Sequence, residues 1–158
     1  KIKSYVELSD CISEEQICMS LEEVDRDKVI YELLDKLVDC GRLDESKREP
    51  AFVSIFEREE LGSTAIGRSV AVPHARVEGL QEIQMAVGMS KKGVDFQALD
   101  GKPVKAIFLV IGPDSEPDRY IEIMKTVSQL VQTKDFRNFL FQSEEPQDIV
   151  GLLEEMDG

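Results

Sequence analysis

Val104-Lys105-Ala106-Ile107-Phe108-Leu109-Val110-Ile111-Gly112-Pro113 is an almost unbroken apolar run with a single charge near its start. A stretch of this kind predicts a strand buried on both faces, because a half-exposed strand would alternate apolar with polar. Such a strand needs cover on two sides, so helices are expected above and below it. Outward from it, Ile83 to Met89 and Val70 to Val72 read as further strands, and Ile17, Met19 and Leu21 alternate with polar residues as a half-buried strand does. Val29, Ile30, Leu33, Leu34, Leu37 and Val38 recur at helical spacing between Asp25 and Cys40, with Gly41 placed to stop that helix. A second helix is predicted from Pro50 to about Leu61, with Phe52, Val53 and Phe56 on its core face. A third opens at Asp118, expected as its N-cap, and carries Tyr120, Ile123, Met124, Val127, Leu130 and Val131 on one face. Phe136, Phe139 and Leu140 mark a short helix, and Ser143 is expected to open a last one ending near Met156. Ser13 followed by Gln16 reads as a capping box on a short helix near the start. Strands and helices interleave without a repeat or a Gly/Ser linker. The predicted fold is therefore α/β, a mixed central sheet flanked by helices on both faces, in one domain over residues 1–158.

Composition narrows the function. Thirty-two acidic against nineteen basic side chains leave a net charge of -13. That charge repels a phosphate backbone and an anionic bilayer, so neither nucleic acid nor a membrane is the expected partner. No apolar run approaches a membrane span, so no membrane insertion is expected. A protein with a basic or neutral docking face is the better fit. Cys11, Cys18 and Cys40 are odd in number and lack C-x-x-C spacing, which predicts three buried thiols in a reducing compartment, hence the cytoplasm.

His74 is the only histidine in the chain. With no second imidazole and scattered cysteines, a His-rich metal site is not expected. No G-x-S-x-G elbow is present either, so a serine hydrolase finds no nucleophile. An ordinary loop histidine remains one reading; the other is an imidazole acting alone as a nucleophile. For phosphoryl chemistry one ring nitrogen attacks phosphorus while the other keeps its proton against a fixed acceptor. Donors and positive charge for the phosphoryl oxygens must come from nearby. Arg58, Ser63 and Thr64 precede His74, with Gly62 and Gly67 allowing close backbone approach. Each has a plain alternative, Arg58 as a surface ion pair and the glycines as turn residues. Their order is the informative feature.

On these residues the sequence resembles the enzyme IIA domain of the fructose/mannitol type in the bacterial sugar phosphotransferase system, a group that includes the nitrogen-regulatory enzyme IIA proteins. The resemblance is carried by REELGSTAIGRSVAVPHARVEGL (58–80), by GVDFQALDGKPVKAIFLVIGP (93–113) and by the opening LSDCISEEQI (8–17). It implies that His74 is phosphorylated on Nε2 by the phosphocarrier HPr, that Arg58 is the arginine beside it, and that Thr64 belongs to the site. It also implies onward transfer to an enzyme IIB partner, or recognition of the phosphorylation state by a regulatory target. No cofactor is implied. One position departs from the family pattern: Tyr120 stands where a second histidine is common. A phenol can donate one hydrogen bond to a phosphoryl oxygen but cannot become a cation.

Overall fold

The structure is a computed structural model that describes residues 8–157; the ends of the expected 1–158 domain, residues 1–7 and 158, lie outside the described residues. The apolar run forms β6 (Val104–Gly112), antiparallel to β5 (Gln84–Val94). On its other side β6 pairs in parallel with both β3 (Val70–Ala71) and β4 (His74–Arg76). β1 (Ile17–Cys18) joins β5 in parallel and β2 (Ala65–Gly67) joins β3 antiparallel, giving the order β1-β5-β6-β3-β2 in a mixed six-stranded sheet.

Alternation along β6 divides the core. Ala106, Phe108 and Val110 face a cluster completed by α3 (Pro117–Gln132), α4 (Lys134–Gln142) and α5 (Pro146–Asp157). There the Phe108 and Phe136 rings meet with centroids 6.1 Å apart. Ile107, Leu109 and Ile111 face the opposite cluster, built with α1 (Arg26–Asp39) and α2 (Arg48–Leu61). Helices therefore cover both faces, as the apolar strand requires. Among the described residues no helix is long and apolar enough to cross a membrane.

α1 follows its sequence closely. Asp25 caps it by accepting from the Lys28 N–H, and Val29, Ile30, Leu33, Leu34 and Leu37 are its buried face. It ends where Gly41 adopts φ of 85°, with Gly41 N–H on Val38 O and Arg42 N–H on Leu37 O, a Schellman arrangement.

Other local expectations are corrected. α2 buries Ala51, Ile55 and Glu59, while Val53 faces solvent. Phe52 and Phe56 lie at the side of the stripe, Phe52 against Tyr31 at 4.4 Å and Phe56 beneath the Arg26 guanidinium at 5.7 Å. Ser13 makes no backbone cap; its hydroxyl donates to Gln16 Oε1, and Gln16 Nε2 bridges Cys11 O and Met85 O. α3 starts at Pro117 after Glu116, so Asp118 lies inside the first turn. Ser143 closes α4 by donating to Phe139 O, and Asp148 instead binds the Glu144 and Glu145 N–H groups ahead of α5. Of the cysteines only Cys11 is buried, where burial pushes its thiol up to about 12; Cys18 and Cys40 are half-buried at an edge strand and a helix end.

The segment that places His74 departs most from expectation. A turn is expected after Pro73 and His74, yet the chain continues extended as β4 to Arg76, with His74 opposite Val110 and Arg76 opposite Gly112. β3 and β4 are one strand interrupted at Val72–Pro73. Proline has no N–H to give the ladder. The Val72 N–H turns to Thr64 O at 3.2 Å, while Pro73 O still receives the Val110 N–H at 3.0 Å.

Candidate functional site

His74 is half-buried on β4, with Nδ1 2.7 Å from the carbonyl oxygen of Val72. A carbonyl only accepts, so Nδ1 must be the protonated nitrogen, and the Nε2 lone pair is left free. Burial lowers the pKa of the ring below the ordinary 6.5; the Val72 contact raises it, Arg58 lowers it and Glu59 raises it. The net direction favours a neutral imidazole at neutral pH, the state in which Nε2 is a nucleophile.

Arg58 reaches the same place from the last turn of α2. Its Nη1 donates to Gly62 O at 2.8 Å, which folds the side chain back over the helix end. Among the described residues it makes no ion pair. A half-buried Arg58 whose charge is felt by the His74 ring, and which forms no ion pair among the described residues, is suited to an incoming anion.

The two hydroxyls between Arg58 and His74 are engaged within the protein. Ser63 Oγ donates to Phe96 O at 2.5 Å and accepts from Ala65 N–H, tying the loop to the segment after β5. Thr64 is 6% exposed; its hydroxyl donates to Glu59 Oε2 and its N–H to Glu59 Oε1 at 3.2 Å. Thr64 thus enters the structure as a partner of a carboxylate.

Tyr120, 7% exposed, packs at the first turn of α3 against Gly112, where a Cβ would come within 2.8 Å of the ring. Its hydroxyl has no hydrogen-bond partner among the described residues. Burial raises its pKa above the ordinary phenol value, while Arg76 and Arg58 act in the opposite direction. A buried, protonated and unpartnered donor beside two guanidinium groups is an unusual expense in a core, and such exceptions point to function.

Two neighbours were missed in the sequence. Glu59 lies in a charged helix end, yet the spacing Ala51, Ile55, Glu59 places it on a buried stripe. Arg76 follows His74 by two residues, and that spacing shares a face once the segment is known to be a strand. Among the described residues no group of three or more His, Cys, Asp or Glu side chains could hold a metal ion.

This chain resembles several characterised proteins. The "PTS system fructose-specific EIIA component" of Haloferax volcanii is 31% identical over 140 residues, covering 87% of this chain and 90% of that protein. The crystal structure of "Nitrogen Regulatory Protein IIA-Ntr" from Neisseria meningitidis has a TM-score of 0.82 at 26% identity, over 92% of this chain and 97% of that one. The "Complex of enzyme IIAMTL and phosphorylated enzyme IIBMTL" from Escherichia coli has a TM-score of 0.74 over 91% of this chain and 97% of that one; at 15% identity the likeness is one of fold. Residues 10–156 match the family profile "Phosphoenolpyruvate-dependent sugar phosphotransferase system, EIIA 2", and the chain belongs to that family.

Proposed function

We propose that the chain is a cytoplasmic phosphoryl carrier in which Nε2 of His74 takes a phosphoryl group from an HPr-like phosphocarrier and passes it to an enzyme IIB partner. The observation that carries the reading is the contact of His74 Nδ1 with Val72 O, together with an Arg58 that acts on the ring and forms no ion pair among the described residues. As the donor's bond to phosphorus breaks, the Nε2 lone pair forms the new P–N bond, and the proton stays on Nδ1, donated to the Val72 carbonyl. Little covalent chemistry is asked of the fold, since positioning and electrostatics dominate such transfers. Arg58 stabilises the anionic oxygens, and the Tyr120 hydroxyl supplies one neutral donor. A tighter cationic cage would hold the group and slow its release. Ser63 and Thr64 act through the loop they fix.

A second reading is a regulatory module whose target reads the phosphorylation state of His74. The similarity to a nitrogen regulatory protein favours it, as does Tyr120 in place of a second imidazole. Both readings are tested by incubation with phosphoenolpyruvate, enzyme I and HPr, followed by intact mass. An acid-labile adduct absent from His74→Ala supports them, and no adduct on the unmodified protein overturns both. Addition of enzyme IIB then separates them, because only a carrier is discharged by it.

A further inference from the structure

Three acidic side chains end α2, and they are treated differently by the fold. Glu57 and Glu60 face solvent, whereas Glu59 is 3% exposed. A carboxylate is costly to bury unless both oxygens are satisfied. Among the described residues no lysine or arginine forms an ion pair with Glu59. Instead Oε1 and Oε2 receive the N–H and the hydroxyl of Thr64.

The chain of contacts does not stop there. Thr64 O accepts the Val72 N–H at 3.2 Å, and Val72 O is the acceptor that holds His74 Nδ1 at 2.7 Å. Val72 N–H meets Thr64 because the antiparallel register of β2 and β3, with Ala65 opposite Ala71, continues by one residue to Thr64 and Val72. One side chain and the Val72 peptides therefore connect a buried carboxylate to the imidazole. The links cross the tetrahedral Cα atoms of Thr64 and Val72, so the carboxylate acts by position: by holding Thr64 it fixes the Val72 segment and the direction of the Val72 carbonyl. The ring tautomer is set by that last bond.

We propose that Glu59 is a positioning residue for His74: through Thr64 and Val72 it fixes the carbonyl that keeps the proton on Nδ1 and leaves Nε2 free to react. Its value for phosphoryl transfer rests on the carrier reading above; its effect on the tautomer does not. A plain loop anchor would need Thr64 held, but would have no influence on where the histidine proton resides.

The test uses Glu59→Gln, Thr64→Val and Thr64→Ser in the full chain. In the unphosphorylated protein, long-range proton–nitrogen correlation NMR reads the His74 tautomer across a pH titration. The expected result is a dominant Nδ1–H form in the unmodified protein and in Thr64→Ser, with an increased Nε2–H share in Glu59→Gln and Thr64→Val. His74 should also titrate at lower pH in Glu59→Gln, since Glu59 favours the protonated ring. Phosphorylation from HPr should slow by about tenfold or more in the same two variants, the scale of one lost hydrogen bond to a charged group. The double variant should be no slower than the slower single, because both interrupt one path. Unchanged tautomer and titration in the folded variants overturn the proposal, even if stability falls. If Glu59→Gln does not fold, Thr64→Val decides by the same tautomer readout. Failure of the unmodified protein to accept phosphate overturns the carrier reading, while the tautomer result still decides the role of Glu59.

Discussion

Replacing Arg58 with alanine separates catalytic charge from fold stability, because the structure gives the side chain little else to do. Among the described residues its one hydrogen bond is to Gly62 O at an exposed helix end, at 2.8 Å. Losing such a bond costs about 0.5–1.5 kcal/mol, a small part of a domain's stability. A charged donor to a transferring phosphoryl oxygen is worth about 1.5–3 kcal/mol, which corresponds to a rate loss of roughly 10- to 150-fold. The guanidinium also lowers the His74 pKa, so its removal raises that pKa. Reaction needs the neutral ring, and the rate must fall as pH drops through the His74 value. In Arg58→Ala that falling limb moves to higher pH while the plateau drops. Single-turnover phosphorylation by phospho-HPr, followed over pH alongside urea unfolding, reads all three quantities. An unchanged plateau and an unmoved limb in a folded variant would refute the reasoning, and a variant that fails to fold would make Arg58 structural.

Three further outcomes are expected. Tyr120→Phe removes the unpartnered buried hydroxyl, so it should be more stable by about 1 kcal/mol and yet slower in phosphoryl transfer; greater stability with full activity would remove the phenol from the site. Phe108→Ala empties the centre of one core cluster, where the ring is 0% exposed, and should cost about 3–5 kcal/mol in denaturant unfolding. Cys18 and Cys40 should be alkylated before Cys11 in the native protein, because Cys11 is buried with its thiol pushed up to about 12; mass mapping that found Cys11 reacting first would contradict its placement.

Stability should also carry the mark of His74. Its folded pKa lies below the ordinary 6.5, so the unfolded chain takes up the proton first as pH falls. The contribution is complete above about pH 6.5 and is lost as pH falls from there through the folded value. In His74→Ala that part of the pH dependence should vanish.

What could be read from the sequence follows the range of the forces involved. β6 and the buried face of α1 were legible because an apolar period is a local signal that the core then obeys. The phase of α2 was legible only in part: Phe52 packs against the core as expected, whereas Val53 faces solvent, Phe56 lies under the Arg26 guanidinium and small Ala51 takes the close contact. Ser13 holds the expected N-cap position with its hydroxyl turned to Gln16 Oε1, whereas the caps expected at Asp118 and Ser143 miss by a few residues, where alternative polar partners compete at nearly equal energy. β4 was hidden because its pairing is decided by β6, some thirty residues later in the chain. At the candidate site, the stretch from Arg58 to His74 supplied the residues proposed for it, but not that the Thr64 hydroxyl would face a buried carboxylate. That contact exists only once the loop has closed over α2.

The central claim is that one nitrogen of one ring carries the phosphoryl group. Long-range proton–nitrogen correlation NMR on the protein phosphorylated through HPr reads the attachment directly. The account predicts phosphorus on Nε2 of His74, with the proton retained on Nδ1 and donated to the Val72 carbonyl. Phosphorus on Nδ1, or on any other residue, would contradict it.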